Sequence, residues 1–341
     1  MATTCKSLFN EALQKYSKKE IASRLNLSVG TVSRWIDTDN YPPNYIFDLH
    51  RILSKNISYE NYTIQEKDQF FTPIETCQKC WNTATQILKD IDDYQFIEPS
   101  AGEGNFLSVL PDNTIAFDIE PKHDNIIKQD FLTWQPTTQN KYIVFGNPPF
   151  GLRGHVALQF INHSYSFADY VCFILPQLFE SDGKGSPRKR IRGYNLIHSE
   201  KCHNLFHYPD KKQVKVNVVF QIWSKVIDNV KYHIQPRIQD IVKVYSLSDG
   251  GTVSTTRNKK MLDKCDIYLP STCFGENAMT VYYSFRELPN QKGYGIVFLK
   301  HKKRLLEASK SIDWKSVGFL STNSSINLRT SLIIDEFNRF L

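Results

Sequence analysis

The sequence has no run of about 18 apolar residues, the length that a membrane-spanning helix requires. Its first residues, Met-Ala-Thr-Thr-Cys-Lys, lack the apolar stretch of a secretory signal peptide. Its seven cysteines are odd in number and scattered, in a chain too large to depend on disulfides. We therefore expect an intracellular, cytoplasmic protein with free thiols and no contact with a membrane.

Signs of a metal site or of covalent catalysis are also scarce. Cys77 and Cys80 form a Cys-x-x-Cys, but the chain has no second one to complete a zinc site, so we predict no metal. The nine histidines show no partner arrangement typical of acid–base or nucleophilic catalysis. Low-complexity segments and internal repeats are absent as well.

Charge is unevenly distributed along the 341 residues, which carry a net charge of +7. Lys and Arg number 7 against 15 Asp and Glu in residues 61–180, but 10 against 3 in 181–225 and 11 against 5 in 251–310. An acidic centre between basic segments suits a catalytic core whose surroundings hold a polyanion such as nucleic acid. A surface kept soluble by lysines would look the same, so charge alone leaves both interpretations open.

The pattern of apolar residues divides the chain into three regions. Residues 1–58 are typical of helices, 59–228 alternate short apolar runs with amphipathic stretches, and 229–341 are β-rich and irregular, with apolar runs at 281–285 and 295–299. The alternation predicts a parallel sheet covered by helices. We expect an α/β protein with a Rossmann-like doubly wound sheet, an N-terminal all-α domain and a C-terminal α+β domain. The candidate strands of the sheet are 95–97, 114–117, 142–145, 170–175 and 216–223.

A glycine-rich stretch, Phe-Ile-Glu-Pro-Ser-Ala-Gly-Glu-Gly-Asn-Phe at 96–106, lies where a buried strand should end and a helix begin. Gly102 and Gly104 let the backbone turn sharply and approach a ligand closely. The dinucleotide fingerprint requires a third glycine where this chain has Leu107, which disfavours a pyrophosphate cradle. Glu98 would repel phosphates, but it suits a ligand that carries ammonium and sulfonium charges.

Acidic residues follow the next two strand ends. Asp118 comes directly after the second candidate strand, where a carboxylate can accept hydrogen bonds from ribose hydroxyls. Asp130, after the third unit, can accept from an adenine amino group. Each acid alone is more often a helix cap or a solvated loop residue. Their order at successive strand ends predicts an S-adenosylmethionine site.

The most informative stretch is Asn147-Pro148-Pro149-Phe150, which follows an apolar strand at the carboxyl edge of the predicted sheet. The prolines fix φ and supply no N–H groups, so this turn offers mainly carbonyl acceptors. The Asn147 side-chain carbonyl and the Pro148 backbone carbonyl could accept both hydrogens of an exocyclic adenine amine, and Phe150 could stack on the flipped-out base. This predicts direct methyl transfer that depends on placement and electrostatics. The alternative interpretation is a stiff βα turn.

Together these residues resemble the amino-methylating DNA methyltransferases, in the adenine-N6 branch whose cofactor motif precedes the catalytic motif and whose target-recognition region comes last. The resemblance spans residues 65–225, and Asn-Pro-Pro-Phe is its most specific element. It implies that Asp118 binds the cofactor ribose and that Asp130 with Phe131 holds the cofactor adenine. Cytosine-N4 members usually carry Ser where this chain has Asn147, which favours adenine.

The resemblance extends to two less specific segments. Lys-Asp-Gln-Phe-Phe-Thr-Pro at 67–73 is similar to the family's segment that closes over the cofactor's methionine carboxylate, a role that falls to Thr72, although Thr-Pro by itself is only a good helix start. Residues 206–223 occupy the place of a hairpin whose aromatic residue, here Phe206 or Tyr208, stacks on the flipped base. The implied cofactor-binding residues are Thr72, Glu98, Ser100, Ala101, Gly102, Gly104, Asp118, Ile119, Asp130, Phe131 and Asn147.

Residues 18–35 are typical of a helix-turn-helix. Asn26 falls at the turn, where a left-handed conformation is tolerated, and Ser28 is a natural N-cap of the second helix. We expect Thr31, Ser33 and Arg34 to point outward, able to reach bases or phosphates. A packed helical hairpin without DNA contact is the alternative. The residues expected on the buried side are Ile21, Ala22, Leu25, Leu27, Val29, Val32 and Trp35.

Two further basic segments are candidates for contact with nucleic acid. The glycines and proline of 183–194 indicate a mobile loop, whose cations would contact phosphates or simply be solvated. The C-terminal region, with basic residues within 257–260 and 300–304, is where a target-recognition domain would lie. The cations of the first segment are Arg188, Lys189, Arg190 and Arg192.

The sequence therefore predicts a site-specific DNA adenine-N6 methyltransferase, a modification enzyme of a restriction system or a mobile element. Its cofactor would be S-adenosylmethionine and its partner double-stranded DNA, with any cognate restriction endonuclease encoded elsewhere. RNA is the alternative substrate, because RNA and protein-glutamine methylases can share the Asn-Pro-Pro-aromatic loop. A non-catalytic DNA-binding regulator on the same fold is the alternative function. Target sequence and oligomeric state have no signal in the sequence.

Overall fold

The computed structural model describes residues 4–64, 66–183, 186–202, 205–234, 240–247, 263–274, 279–284, 288, 292–320 and 325–340. The chain divides into two compact units, residues 1–180 with 187–232 and residues 181–186 with 233–341. Over the described ranges, no helix combines the length and the apolar character needed to cross a membrane.

Helices occupy the start of the chain, and strands predominate afterwards. The α-helices of the described residues are α1 (Cys5–Lys15), α2 (Lys18–Arg24), α3 (Val29–Asp37), α4 (Ile46–Ile52), α5 (Ile74–Ile87), α6 (His155–Ser164), α7 (Lys302–Ser311), α8 (Trp314–Val317) and α9 (Thr330–Asn338). Their strands are β1 (Tyr94–Glu98), β2 (Ile115–Asp118), β3 (Ile127–Lys128), β4 (Lys141–Gly146), β5 (Ala168–Pro176), β6 (Asn195–Cys202), β7 (Leu205–His207), β8 (Gln213–Lys215), β9 (Val218–Ser224), β10 (Val242–Leu247), β11 (Ile267–Pro270), β12 (Thr272–Phe274), β13 (Gly293–Phe298), β14 (Phe319–Leu320) and β15 (Ser325–Asn327).

A seven-stranded sheet forms the centre of the first unit, in the order β3-β2-β1-β4-β5-β9-β6. Strands β1 to β5 run parallel, whereas β9 runs antiparallel to both β5 and β6. Buried on both faces, β4 and β5 are continuous apolar runs. This confirms the predicted Rossmann-like α/β sheet. The strand order reverses between β1 and β4, and ligands of such sheets bind at the carboxyl ends beside this reversal.

Aromatic side chains pack both faces of the sheet. On one face, Trp81 of α5 contacts Phe145 of β4 with 6.1 Å between the ring centroids. On the other face, Phe117 of β2 lies 6.5 Å from Phe131, which in turn lies 5.2 Å from Phe160 of α6. Alternation of side chains along the strands accounts for this two-sided packing. It leaves only the ends of the strands open to a ligand.

The candidate strands of the sheet overlap β1, β2, β4, β5 and β9. The expectation of a helix after the glycine-rich stretch is wrong, because residues 102–109 form successive turns. The φ angles of Gly102 and Gly104, 55° and 78°, take the backbone out of the right-handed helical region. Strands β3 and β6 have no signal in the sequence, since the first is two residues long and the second is rich in polar residues.

The N-terminal helices α1 to α4 have a hydrophobic core of their own. Thr4, Ser17 and Ser28 cap α1, α2 and α3 by accepting hydrogen bonds from backbone N–H groups. Asn26 has a φ of 53°, which confirms the predicted left-handed turn between α2 and α3. The expected burial of Val29 is wrong: the residue is 45% exposed, because the first turn of α3 extends beyond the core.

The second unit contains two three-stranded antiparallel sheets, β10-β13-β11 and β12-β15-β14, together with α7, α8 and α9. Trp314 and Phe337 pack together in its core. This is the expected α+β architecture. The apolar run at 295–299 corresponds to β13, but the run at 281–285 forms no strand within its described residues, where Tyr282 makes an isolated bridge to Tyr268.

Two isoleucine truncations test how the sheet is packed. Ile143 on β4 is fully buried, whereas Ile127 on the edge strand β3 is 52% exposed. We expect Ile143→Ala to lower the free energy of unfolding by about 2–5 kcal/mol, because it removes buried methylenes and leaves a cavity, and Ile127→Ala to lower it by less than about 1 kcal/mol. Urea unfolding followed by tryptophan fluorescence measures both. Equal effects would contradict the described burial.

Candidate functional site

Two strand ends meet beside the reversal of the strand order. Glu98 is the last residue of β1, and Asn147 follows β4 directly. These ends and the adjoining turns form a pocket lined by Phe70, Phe71, Thr72, Glu98, Ser100, Ala101, Gly102, Glu103, Asn105, Phe106 and Asn147. Of the predicted cofactor-binding residues, the pocket brings together Thr72, Glu98, Ser100, Ala101, Gly102 and Asn147.

Glu98 is a buried acid, with only 1% of its surface exposed. Its carboxyl oxygen Oε2 has no hydrogen-bond partner among the described residues. Burial, together with the negative charge of nearby Asp118, raises the pKa of Glu98 well above its ordinary value. Burial therefore disfavours the ionised form of Glu98, and a cationic ligand would favour it.

The Asn147 side chain is held through its amide nitrogen, which donates to Thr72 Oγ1 at 3.1 Å. Its backbone carbonyl accepts a hydrogen bond from Ser100 Oγ, also at 3.1 Å. The side-chain carbonyl Oδ1 is buried and accepts no hydrogen bond in the part of the chain that the structure describes. A buried acceptor left in this state costs about 1–3 kcal/mol. Asn147 is therefore fixed in place with one acceptor available to a ligand.

Residues 66–72, which we call the strap, hold the loop that contains Asn147. The Asp68 carboxylate oxygen Oδ2 accepts hydrogen bonds from the backbone N–H groups of Phe150 and Gly151, at 2.6 and 2.9 Å. Because the two prolines of the loop have no N–H, these are the first backbone donors after Asn147. Both are used on a single carboxylate oxygen, so Asp68 determines how the loop leaves the sheet.

The strap also covers the glycine-rich stretch. The Phe71 ring packs on Gly102, where an added Cβ would lie 2.8 Å from ring carbons, so a larger residue would displace the ring. Phe71 exchanges two backbone hydrogen bonds with His207 of β7, at 2.7 and 3.2 Å. In this segment the sequence pointed to Thr72 alone. Asp68 and Phe71 contact residues that are distant in the sequence, and no local sequence pattern predicts such contacts.

Asp118 ends β2 beside the glycine-rich stretch. Its two carboxylate oxygens accept hydrogen bonds from the backbone N–H groups of Gly102 and Glu120, each at 2.8 Å. Burial raises the pKa of Asp118, although these two hydrogen bonds oppose the rise. Glu120 forms an ion pair with Lys67 of the strap at 2.7 Å. Each Asp118 oxygen retains a second lone pair, so the predicted contact with ribose hydroxyls remains chemically available.

The predicted adenine-binding pair lies outside the pocket lining. Asp130 Oδ2 accepts from Arg51 Nε at 2.6 Å and from the Tyr59 hydroxyl at 3.1 Å, and its other oxygen accepts the Leu132 N–H. Phe131 is buried in the core of the sheet. The environment of the pair differs from the one the resemblance implies, because side chains from the N-terminal region fill the space beside Asp130. The predicted residues Gly104 and Ile119 are half-buried and also lie outside the lining.

Aromatic rings crowd the strap side of the site. Phe70 lies 5.0 Å from Phe150 and 5.6 Å from Phe206, edge to face in both cases. Phe206 is fully buried on β7, so it is closed off from any base in this arrangement, and Phe150 is also buried. Tyr208, the other residue predicted to stack on a base, is half-exposed.

The predicted nucleic-acid contacts of the helix-turn-helix lie on α3. Arg34 is exposed, whereas Thr31 and Ser33 are half-buried. Thr31 also takes part in the N-cap of the helix, because its backbone N–H donates to Ser28 Oγ at 3.1 Å. The outward direction predicted for this face is therefore clearest for the arginine.

The basic segment after β5 departs from the expectation of a mobile loop, because residues 187–190 form a short 3₁₀ helix. The Arg188 guanidinium donates to the backbone carbonyl of Tyr232, and Arg190 donates to the Asn26 carbonyl at 2.9 Å. These two cations are thus held in contacts within the protein. Lys189 and Arg192 are exposed.

Basic residues of the C-terminal region are only partly described. Arg257, Lys259 and Lys260 lie outside the described residues. Lys300 and Lys302 are exposed and form ion pairs with acids of the same unit, at 3.2 and 2.5 Å. Their charges are therefore partly neutralised.

No family model matches the chain, and no curated protein matches it. Among solved structures, a proposed RNA methyltransferase of Pyrococcus horikoshii is 20% identical with a TM-score of 0.38, over 52% of this chain and 96% of that one. A proposed class I S-adenosylmethionine-dependent methyltransferase of Listeria monocytogenes is 11% identical with a TM-score of 0.35, over 68% and 90%. A modification subunit of a proposed type I restriction enzyme of Vibrio vulnificus is 10% identical with a TM-score of 0.31, over 84% and 64%. At these scores the similarities assign neither a family nor an activity to this chain.

Proposed function

We propose that this chain is an S-adenosylmethionine-dependent methyltransferase that modifies the N6 amino group of adenine in double-stranded DNA. The observation that carries the proposal is the unpaired, buried Asn147 Oδ1 in the same pocket as the buried carboxyl group of Glu98. A buried acceptor without a donor in the protein is suited to an amine from a substrate. The neighbouring acid is suited to a positively charged cofactor.

The residues that line the pocket have the chemistry that S-adenosylmethionine requires, a cofactor that supplies an activated methyl group when it is bound. The unpaired Glu98 Oε2 would hold its positive charge, since the pocket otherwise leaves this oxygen without a donor. Asp118 lies outside the pocket lining, hydrogen-bonded to the Gly102 N–H, and would accept from the ribose hydroxyls. Thr72 contributes indirectly, through its hydrogen bond to the Asn147 amide.

The loop after β4 would hold the substrate amine. Asn147 Oδ1 accepts one amine hydrogen, and the backbone carbonyl of Pro148 accepts the other. These two bonds draw the nitrogen lone pair out of conjugation with the base and fix its direction. The strap, with the half-buried ring of Phe70 and the buried ring of Phe150, would keep water away from this edge of the sheet. The site therefore acts by placement and by oriented dipoles.

The N-terminal helices support DNA as the polymer. The residues of α2 and α3 adopt the helix, turn and cap that the helix-turn-helix pattern predicts, with Asn26 left-handed and Ser28 as the cap. Arg34, Lys18 and Lys19 are exposed cations that could contact the duplex. We propose a modification enzyme of a restriction system or a mobile element, with RNA as the alternative substrate. A non-catalytic regulator is disfavoured because the Asn147 loop is intact.

Replacing Asn147 by alanine removes the proposed amine acceptor. We expect Asn147→Ala to lower kcat by about 10²–10³-fold, the effect of losing one preorganised hydrogen-bonding group, with cofactor affinity almost unchanged. Transfer of labelled methyl groups from S-adenosylmethionine to unmethylated duplex DNA, single-stranded DNA and total RNA measures this, with N6-methyladenine identified after digestion. Asn140→Ala, an exposed asparagine just before β4, is the matched control. Label in RNA alone would identify RNA as the substrate. Full activity of Asn147→Ala would refute the role of Asn147 as the amine acceptor.

Replacing Glu98 by glutamine should affect the stability of the fold and the affinity for the cofactor in opposite directions. Since the folded pKa of Glu98 is raised, the unfolded chain ionises first as pH rises, so stability falls above the ordinary glutamate pKa. Glu98→Gln should therefore melt at the same or a higher temperature than wild type at pH 8, with a smaller difference at pH 5. It should bind S-adenosylmethionine about 10- to 100-fold more weakly, because a charged hydrogen bond is lost. Thermal melting and calorimetric titration measure both, with exposed Glu75→Gln as control. Unchanged cofactor affinity would contradict the role of Glu98.

Replacing Arg34 by alanine tests the reading of DNA by α3. We expect duplex affinity to fall about 10- to 100-fold, and the salt dependence of binding to weaken if Arg34 contacts a phosphate. Fluorescence anisotropy with a labelled duplex at several salt concentrations measures both. Arg339→Ala is the control, because Arg339 is an exposed arginine of the other unit, directly after α9. Equal affinities of wild type and Arg34→Ala would make the N-terminal helices a packing element only.

A further inference from the structure

A cluster of buried charges joins the N-terminal helices to the catalytic unit. On α4, Asp48 Oδ2 lies 3.0 Å from His155 Nε2, and the two side chains are 4% and 2% exposed. Arg51, one turn later on the same face, contacts Asp48 at 3.3 Å and Asp130 at 2.6 Å. The Tyr59 hydroxyl donates to the same Asp130 oxygen at 3.1 Å. One face of α4 thus carries two oppositely charged groups, and both point into the sheet-bearing part of the unit.

The His155 ring is held at both of its nitrogens. Nε2 faces the Asp48 carboxylate, and Nδ1 lies 3.2 Å from the backbone carbonyl of Leu152. Both partners are hydrogen-bond acceptors, so each contact suits a ring N–H. Burial alone would raise the pKa of Asp48, but the hydrogen bond of His155 and the charge of Arg51 contribute to a net lowering of the pKa. Asp48 and His155 therefore form a buried, hydrogen-bonded pair.

The Asp48–His155 pair lies at the end of the proposed catalytic loop. His155 is the first residue of α6, and Gly151, Arg153 and Gly154 before it have φ angles of 66°, 55° and 72°. Backbone hydrogen bonds from Gly154 to Gly151 and from Val156 to Phe150, at 3.1 and 3.0 Å, close this turn, in which only Arg153 is a non-glycine residue at positive φ. Contacts from outside the turn add to these bonds. The strap supplies one through Asp68, which holds the N–H of Gly151. The other comes from α4, through His155 and its bond to the Leu152 carbonyl.

The same helix connects to the helix proposed to read DNA. Leu49 and Ile52 of α4 are buried in the N-terminal core together with Val32 of α3. The Tyr45 ring, just before α4, lies 4.8 Å from Trp35 of α3 and 4.4 Å from the His155 ring. A chain of packed and ion-paired side chains therefore runs without a break from α3 to the end of the catalytic loop.

We propose that α4 is a positioning element for methyl transfer, in which Asp48 holds His155 and thereby keeps the catalytic loop in fixed register with the DNA-reading helix α3. This inference rests on the proposed function and extends it: binding of duplex DNA by α3 would present the target adenine to Asn147 without a flexible linker. Asp48 and His155 touch neither substrate nor cofactor. They act by fixing the position of the catalytic loop, and a displacement of reacting groups by about 1 Å can lower the rate of the chemical step by about 10²-fold.

The test is Asp48→Asn in the full chain, with Asp39→Asn as the matched control. Asp39 is an exposed acid of the same helical region, 64% exposed and paired with Lys6. Its φ of 48° suits asparagine. We expect Asp48→Asn to lower kcat about 10- to 100-fold, with the KM for DNA and the affinity for cofactor within threefold of wild type. Hydrogen exchange should quicken at the backbone amides of residues 150–157 and stay unchanged in β1 and β4. Asp39→Asn should change none of these quantities.

Hydrogen exchange decides the inference independently of activity. If wild type transfers no methyl group, the proposed function fails, and faster exchange confined to 150–157 in Asp48→Asn still supports the positioning role. Unchanged exchange and unchanged kcat in Asp48→Asn would overturn it. A loss of activity with uniformly faster exchange across the sheet would also overturn it, because that result describes a merely structural residue. If Asp48→Asn fails to fold, the same measurements are made on His155→Gln, which removes the imidazole ring but keeps a donor and an acceptor.

Discussion

The burial of two unpaired acceptors at the ends of β1 and β4 is the constraint on which the site depends. Glu98 and Asn147 occupy positions where the fold excludes water but supplies no donor, and each unsatisfied group costs about 1–3 kcal/mol. The sheet tolerates this cost because the strands that carry them are packed on both faces by aromatic and aliphatic side chains. A positively charged cofactor at Glu98 and a substrate amine at Asn147 would together remove both penalties. Binding would therefore stabilise the fold as well as fill the pocket.

The prolines of the catalytic loop explain why the strap is needed. A turn with two prolines keeps its carbonyls free for a substrate, but it lacks the backbone donors that would normally tie it to neighbouring structure. Asp68 accepts, with one oxygen, hydrogen bonds from the first two backbone donors that follow, Phe150 and Gly151. Burial raises the pKa of Asp68, while these two N–H groups oppose the rise. The loop is thus rigid through contacts that leave its acceptors untouched.

Much of the sheet could be predicted from the sequence, because its signals are local. Continuous apolar runs mark β4 and β5, and the glycines at 102 and 104 mark a sharp turn. Glu98 and Asn147 lie at strand ends, so their proximity follows from the geometry of parallel sheets. The failures concern long-range packing. The burial of Phe206 and the capture of Arg190 by the Asn26 carbonyl depend on segments far away along the chain. No periodicity or motif encodes such contacts.

The contact between Asp48 and His155 is also beyond prediction from the sequence, since 107 positions separate the two residues and neither belongs to a recognisable motif. A helix-turn-helix on a flexible linker would let a methyltransferase sample many positions along DNA around one bound site. A buried, hydrogen-bonded pair behaves differently, because breaking it leaves a buried polar group without its partner. Joining the proposed reading helix to the end of the proposed catalytic loop in this way would restrict methylation to adenines at one fixed distance from the bound sequence. Specificity in such a protein would come from rigidity of the scaffold as much as from contacts with the bases.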